Sequence, residues 1–112
     1  MVDQGIAAVV RRYLEQLNAE GIPVSFGVLF GSQATPDHAD AWSDIDLIVV
    51  SPRFDPPMER ADVNRLWHIA ARIDSRIEPI PCGEQQWDQD GVSTIIEVGR
   101  RQGTRIEIRR GT

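Results

Sequence analysis

VSFGVLFGSQATPDHADAWSDIDLIVV, residues 24–50, is the stretch on which the fold turns. Val24 to Phe30 is apolar and β-rich and reads as a buried strand. Ile45 to Val50 reads as a second strand, the strongest in the chain, closed by Ser51-Pro52. Residues 33–43 between them are polar and turn-rich and read as a loop. Side chains alternate along a strand, so Asp44 and Asp46 are expected on one side, Ile45 and Leu47 on the other. Two carboxylates on one side of an apolar strand repel each other and lose hydration. A divalent cation between them relieves both costs, and paired carboxylates with room for water and phosphate oxygens suit Mg²⁺. Alone, Asp-x-Asp also describes two exposed aspartates at the start of a strand, and Gly31-Ser32 an ordinary turn. In combination they suggest more: a small residue after a buried strand lets backbone N–H groups approach an anion, and the serine hydroxyl adds a donor.

Outward from this segment the pattern alternates between helical and extended periods. From Asp3 to Glu20 the apolar residues Ile6, Val9, Val10, Tyr13, Leu14 and Leu17 recur at helical spacing, with Gly21 and Pro23 as stops. Pro52 to Pro57 is expected to hold no regular structure. Met58 to Asp74 reads as a second helix with Val63, Leu66, Trp67, Ala70 and Ile73 on one face. Arg76 to Ile80 reads as a third strand, which Pro79 and Pro81 place at a sheet edge or end early. Gly91 to Gln102 reads as another helix, stopped by Gly103, and Thr104 to Ile108 as a short last strand. The expected fold class is α/β (α+β), a mixed β-sheet of about four strands with helices packed on one face.

The chain has 112 residues and no linker long enough to divide it, so a single domain over residues 1–112 is expected. A hydrophobic fraction of 41% with 26% charged residues is a globular balance, and the apolar runs are too short to span a bilayer. With one cysteine, Cys82, no internal disulfide can form. That, with no secretory signal pattern at the N-terminus, makes the cytoplasm the expected location. The net charge of −5 argues against direct nucleic-acid binding, which needs a cationic surface. It leaves room for a small phosphorylated ligand whose metal supplies positive charge locally.

GVLFGSQA, eleven residues between Ser32 and Asp44, and then SDIDLIVV resemble the signature of the DNA polymerase β-like nucleotidyltransferase superfamily. The likeness is greatest to the small stand-alone branch called minimal nucleotidyltransferases (MNT). It extends to Glu78 in the later RIEPI segment, where the family carries a third carboxylate after an intervening helix. The resemblance implies the nucleotidyltransferase fold, with Asp44, Asp46 and Glu78 as catalytic residues clamping two Mg²⁺ ions. It implies phosphate and nucleotide binding by Gly31, Ser32, Gln33 and Ser43, and ATP or another nucleoside triphosphate as substrate. The implied reaction moves a nucleoside monophosphate, with AMP the first expectation, to a hydroxyl of a protein or small molecule. Many relatives carry arginine where this chain has Gln33, and aspartate is commoner than glutamate at Glu78. Stand-alone relatives are often paired with a small helical HEPN-type toxin, so an antitoxin-type binding module is the alternative that the resemblance implies.

Other conspicuous residues have plainer readings. His38 sits in a polar loop that lacks calcium-loop spacing, and Trp42 either stacks on a base or caps the core edge. His68 has no second helical histidine at ligand spacing. Cys82 has no base placed to activate it and reads as an inert, half-buried thiol. Arg100-Arg101 suit the C-terminal end of a helix dipole.

Overall fold

The computed structural model describes residues 4–30, 44–89 and 94–108. Expectations resting on Gly31, Ser32, Gln33 and Ser43, and on the loop with His38 and Trp42, lie outside the described residues. The elements run α1 (Gln4–Ala19), β1 (Phe26–Phe30), β2 (Ile45–Val50), α2 (Arg60–Ile73), β3 (Ile77–Cys82), α3 (Glu84–Gln89), α4 (Thr94–Gln102) and β4 (Thr104–Ile106).

The four described strands form one mixed sheet in the order β3-β2-β1-β4. β1 is antiparallel to both β2 and β4, whereas β2 and β3 are parallel. A parallel pair needs a long crossover, and α2 supplies it. β3 takes the sheet edge, as its two prolines require, but it continues to Cys82, two residues beyond the expected end.

Alternation along the strands makes two cores. Ile45, Leu47 and Val49 of β2, Leu29 of β1 and Ile77 of β3 face α1 and α2 in the larger one. α1 contributes Val10, Tyr13, Leu14 and Leu17, all fully buried, and the Tyr13 hydroxyl donates to the Leu66 carbonyl of α2 at 2.9 Å. Burial pushes the Tyr13 hydroxyl well above the usual tyrosine pKa. α1 ends where Gly21 adopts a φ of 94°, which lets the Gly21 and Ile22 amides turn back to the carbonyls of Asn18 (3.1 Å) and Leu17 (2.9 Å).

The second core is smaller and lies on the opposite side of the sheet, where Phe26, Val28, Ile48, Val50 and Cys82 meet Ile96 of α4. The two long helices thus share one face, and α4 covers part of the other because β1 and β2 are apolar on both sides. Gly99 permits the close approach: a Cβ there would sit 2.6 Å from the Ile48 Cδ1. Phe26 and Trp87 meet edge-on, 5.6 Å between ring centroids.

Three local expectations need correction. Pro52–Phe54 is a 3-10 turn, not irregular chain. The Ser51 hydroxyl accepts from the Arg53 amide at 3.1 Å, and Phe54 is buried beneath the turn. On α2 the buried stripe is Asp62, Leu66, Ile69 and Ala70, leaving Trp67 47% exposed. The stripe is centred near Leu66, with Ile69 and Ala70 to either side, and Trp67 falls about 100° away from that centre. Asp62 tolerates its place because Arg53 reaches both its oxygens, at 2.9 and 3.1 Å. Lastly, α3 is a helix where none was expected. No helix among the described residues is long and apolar enough to cross a membrane.

Candidate active site

β2 carries Asp46 between two neighbours. In the antiparallel ladder it is the partner of Phe30, the last residue of β1, and in the parallel ladder it is the partner of Glu78. By alternation Asp46 and Glu78 share the face of Ile48, Val50 and Cys82, so two carboxylates from two strands stand side by side at one end of the sheet. Both are half-buried. Asp44 precedes the strand and is exposed.

The electrostatics follow from this crowding. The Glu78 carboxyl is pushed above its ordinary value. The hydrogen bond with Asp46 is the chief cause, since it favours the protonated acid, followed by burial and then by the negative charges of Asp44 and Asp46. The two residues joined by the ladder are in direct contact, and Asp44 acts on Glu78 through its charge. Among the described residues no three His, Cys, Asp or Glu side chains already stand close enough to hold one ion. The structure therefore brings Asp46 and Glu78 together and leaves Asp44 at the rim. The donor set still fits a hard divalent cation: all-oxygen ligands and an excess of negative charge that a cation would offset.

The register that makes this pair begins just before it. The Ile45 amide donates to the Arg76 carbonyl at 2.8 Å, the first rung between β2 and the chain entering β3. Arg76 is itself held by Asp74, which closes the turn after α2. The pairing raises the Arg76 pKa and lowers that of Asp74, in each case chiefly through the hydrogen bond between them. Sequence reading passed over both Asp74 and Phe30. An aspartate two residues before an arginine at the end of a helix is an Asx-turn signal, and Phe30 lies on the strand that runs directly into Gly31-Ser32.

The other conspicuous residues lie outside this pair. His68 lies exposed on α2. Cys82 is a free thiol, more buried than expected, pointing its Sγ at the Gly83 carbonyl. Arg100 donates to the carbonyls of Trp87 (2.6 Å) and Gln86 (3.3 Å), and Arg101 pairs with Glu97 at 3.0 Å.

The sequence profile of the family described as nucleotidyltransferase domain matches residues 10–98, from the middle of α1 into α4. The chain belongs to the nucleotidyltransferase domain family. No curated protein sequence matches it significantly. Its fold is similar to the crystal structure of a presumed nucleotidyltransferase from Sulfolobus solfataricus. The TM-score is 0.58 at 18% identity, over 88% of this chain and 77% of that one. It is also similar to the MNT antitoxin in complex with a tri-AMPylated Shewanella oneidensis HEPN toxin. There the TM-score is 0.52 at 18% identity, over 92% of this chain and 73% of that one. For this nucleotidyltransferase domain, the matched span includes Gly31-Ser32, Asp44, Asp46 and Glu78 together.

Proposed function

We propose that this domain is a Mg²⁺-dependent nucleotidyltransferase that moves AMP from ATP to a hydroxyl of a protein or small molecule. The observation that carries the reading is the Asp46–Glu78 pair, two half-buried carboxylates in contact on an otherwise apolar sheet face. Asp44, Asp46 and Glu78 would hold the metal. Bound there, Mg²⁺ neutralises charge on the triphosphate and makes the acceptor hydroxyl easier to deprotonate. Gly31, Ser32, Gln33 and Ser43 hold the phosphates, and two of them follow Phe30, the β1 partner of Asp46, directly in sequence. The acceptor oxygen forms a bond to the α-phosphorus as the bond to the β-phosphate oxygen breaks. Pyrophosphate leaves, and the hydroxyl proton passes to Glu78 and then to solvent.

The test is incubation with α-labelled ATP, Mg²⁺ and candidate acceptors, a small helical HEPN-type protein among them. Label transfer that is lost in Asp46→Asn, with the fold retained, supports the reading. Wild type and Asp46→Asn behaving alike, with no ATP–Mg²⁺ binding by calorimetry, refutes it.

A second reading, an antitoxin-type module that neutralises a HEPN-type toxin by binding, is favoured by the likeness to the MNT antitoxin of the Shewanella oneidensis complex. A stable complex that forms and neutralises the partner despite Asp46→Ala would select it over catalysis.

A further inference from the structure

We propose that Asp74 and Arg76 are positioning residues for the carboxylate site: their paired side chains fix the turn whose carbonyl holds the Ile45 amide between Asp44 and Asp46. The inference rests on the reading of Asp44, Asp46 and Glu78 as a metal site, and it assigns a role to residues that touch neither metal nor substrate.

The chain of contacts is short. α2 ends at Ile73, and the Asp74 amide closes its last turn on the Ala70 carbonyl at 2.8 Å. Three residues later the Ile77 amide reaches back to the Asp74 carbonyl at 3.1 Å, and β3 begins. Within this turn the Asp74 carboxylate accepts three hydrogen bonds from one residue: the Arg76 amide at 2.9 Å, Nε at 3.0 Å and a terminal guanidinium nitrogen at 2.7 Å. Both side chains are mostly buried, 16% and 26% exposed. The backbone of Arg76 is therefore gripped from its amide and its side chain at once. Its carbonyl then accepts from Ile45.

That rung lies at a sensitive place. Ile45 is flanked by Asp44 and Asp46, and Arg76 stands two residues ahead of Glu78. One pleat further on, Asp46 meets Glu78. A shift of one residue in this ladder would send Glu78 to the opposite face of the sheet, so the register must be fixed at its first bond. Partners that orient metal ligands from behind typically change metal affinity by about 10- to 100-fold when removed.

The experiment compares the full chain with Asp74→Ala, Asp74→Asn and Arg76→Ala. Mn²⁺ affinity is followed by electron paramagnetic resonance, the Ile45 amide by hydrogen exchange, and the fold by thermal melting. Asp74→Ala is expected to weaken Mn²⁺ binding about tenfold and to speed exchange at Ile45. Asp74→Asn keeps an oxygen for the Arg76 amide and should recover part of both, and it serves in place of the alanine variant should that fail to fold. Arg76→Ala keeps the backbone rung and should be the mildest of the three. Variants that melt earlier yet bind Mn²⁺ as wild type does, with Ile45 exchange unchanged, would overturn this inference alone. A wild-type chain that binds no Mn²⁺ would overturn it together with the metal-site reading.

Discussion

Replacing Glu78 with glutamine should stabilise the metal-free protein and at the same time remove its response to Mg²⁺. Asp46 and Glu78 are ladder partners, and neighbouring strands lie about 4.8 Å apart. Two like charges at about 5 Å repel by about 1 kcal/mol in water-like surroundings and about 3 kcal/mol in a weakly screened interior. Both groups are half-exposed, so solvent screening selects the lower figure, about 1 kcal/mol. For a domain of this size that is a rise in melting temperature of about 4 °C. Glutamine has the shape of protonated Glu78 and can still donate to Asp46, so the change removes charge without leaving a gap.

The sign with pH follows from linkage. Glu78 is raised in the folded state above the ordinary 4.5, so its contribution favours folding below that value and is lost as pH rises through the folded pKa. The advantage of Glu78→Gln over wild type should thus be small in acid and grow towards neutrality. Other carboxylates, Asp74 among them, shift the other way, so the quantity to follow is the difference between the two proteins. Mg²⁺ should invert the order: at roughly tenfold excess over its Kd it adds about 1.4 kcal/mol to wild type and nothing to the variant. Thermal melts in chelator and in Mg²⁺, from acid to neutral pH, measure all of this. A Glu78→Gln protein less stable than wild type at neutral pH in chelator, or equally stabilised by Mg²⁺, would refute the electrostatic argument.

Three further substitutions probe the scaffold. Tyr13→Phe removes the buried bond to the Leu66 carbonyl and should cost about 1 kcal/mol by urea denaturation, with metal affinity unchanged. Gly103→Ala places a methyl group 2.5 Å from the Gly99 carbonyl and against Val28; it should destabilise by about 1 to 3 kcal/mol, and a neutral result would mean that α4 and β1 are less closely packed than described. Trp67→Ser, on the outward side of α2, should change stability by no more than about 0.5 kcal/mol, whereas an inward tryptophan would cost several times that.

What could be read directly was whatever depends on local period. Ile45 to Val50 is a strand to the residue because Asp46 alone interrupts an apolar, largely β-branched run that Ser51-Pro52 ends. Asp44 and Asp46 were named from alternation along one strand and Glu78 from the family resemblance alone, and the ladder pairs Asp46 with Glu78. Local period could not reveal how far round the helix the buried stripe extends, and Trp67, expected on it with Leu66, lies outside it. Nor could it reveal α3, whose sequence EQQWDQ has no apolar repeat. That helix is held by Asp55, which accepts from the Gln85 amide 30 positions away at 3.1 Å. The Arg76 carbonyl that starts the β2–β3 ladder is a long-range partner of the same kind, and no pattern within either strand announces it.

Beside the motif, the sheet itself supports the proposed metal site. β2 and β3 present three successive rungs on the face towards α4: Asp46 with Glu78, Ile48 with Ile80, and Val50 with Cys82. The strands, spacing and direction are the same, and the second and third rungs are the apolar pairs that packing favours. An apolar pair at the first rung would remove a repulsion of about 1 kcal/mol. Charge is instead confined to the rung beside Phe30, from which the chain continues into Gly31-Ser32, and Asp44 lies one step further out. Repulsion retained at one end of an otherwise apolar face is consistent with the proposed cation site. The same pair that weakens the free protein is therefore the one expected to tighten it when metal binds.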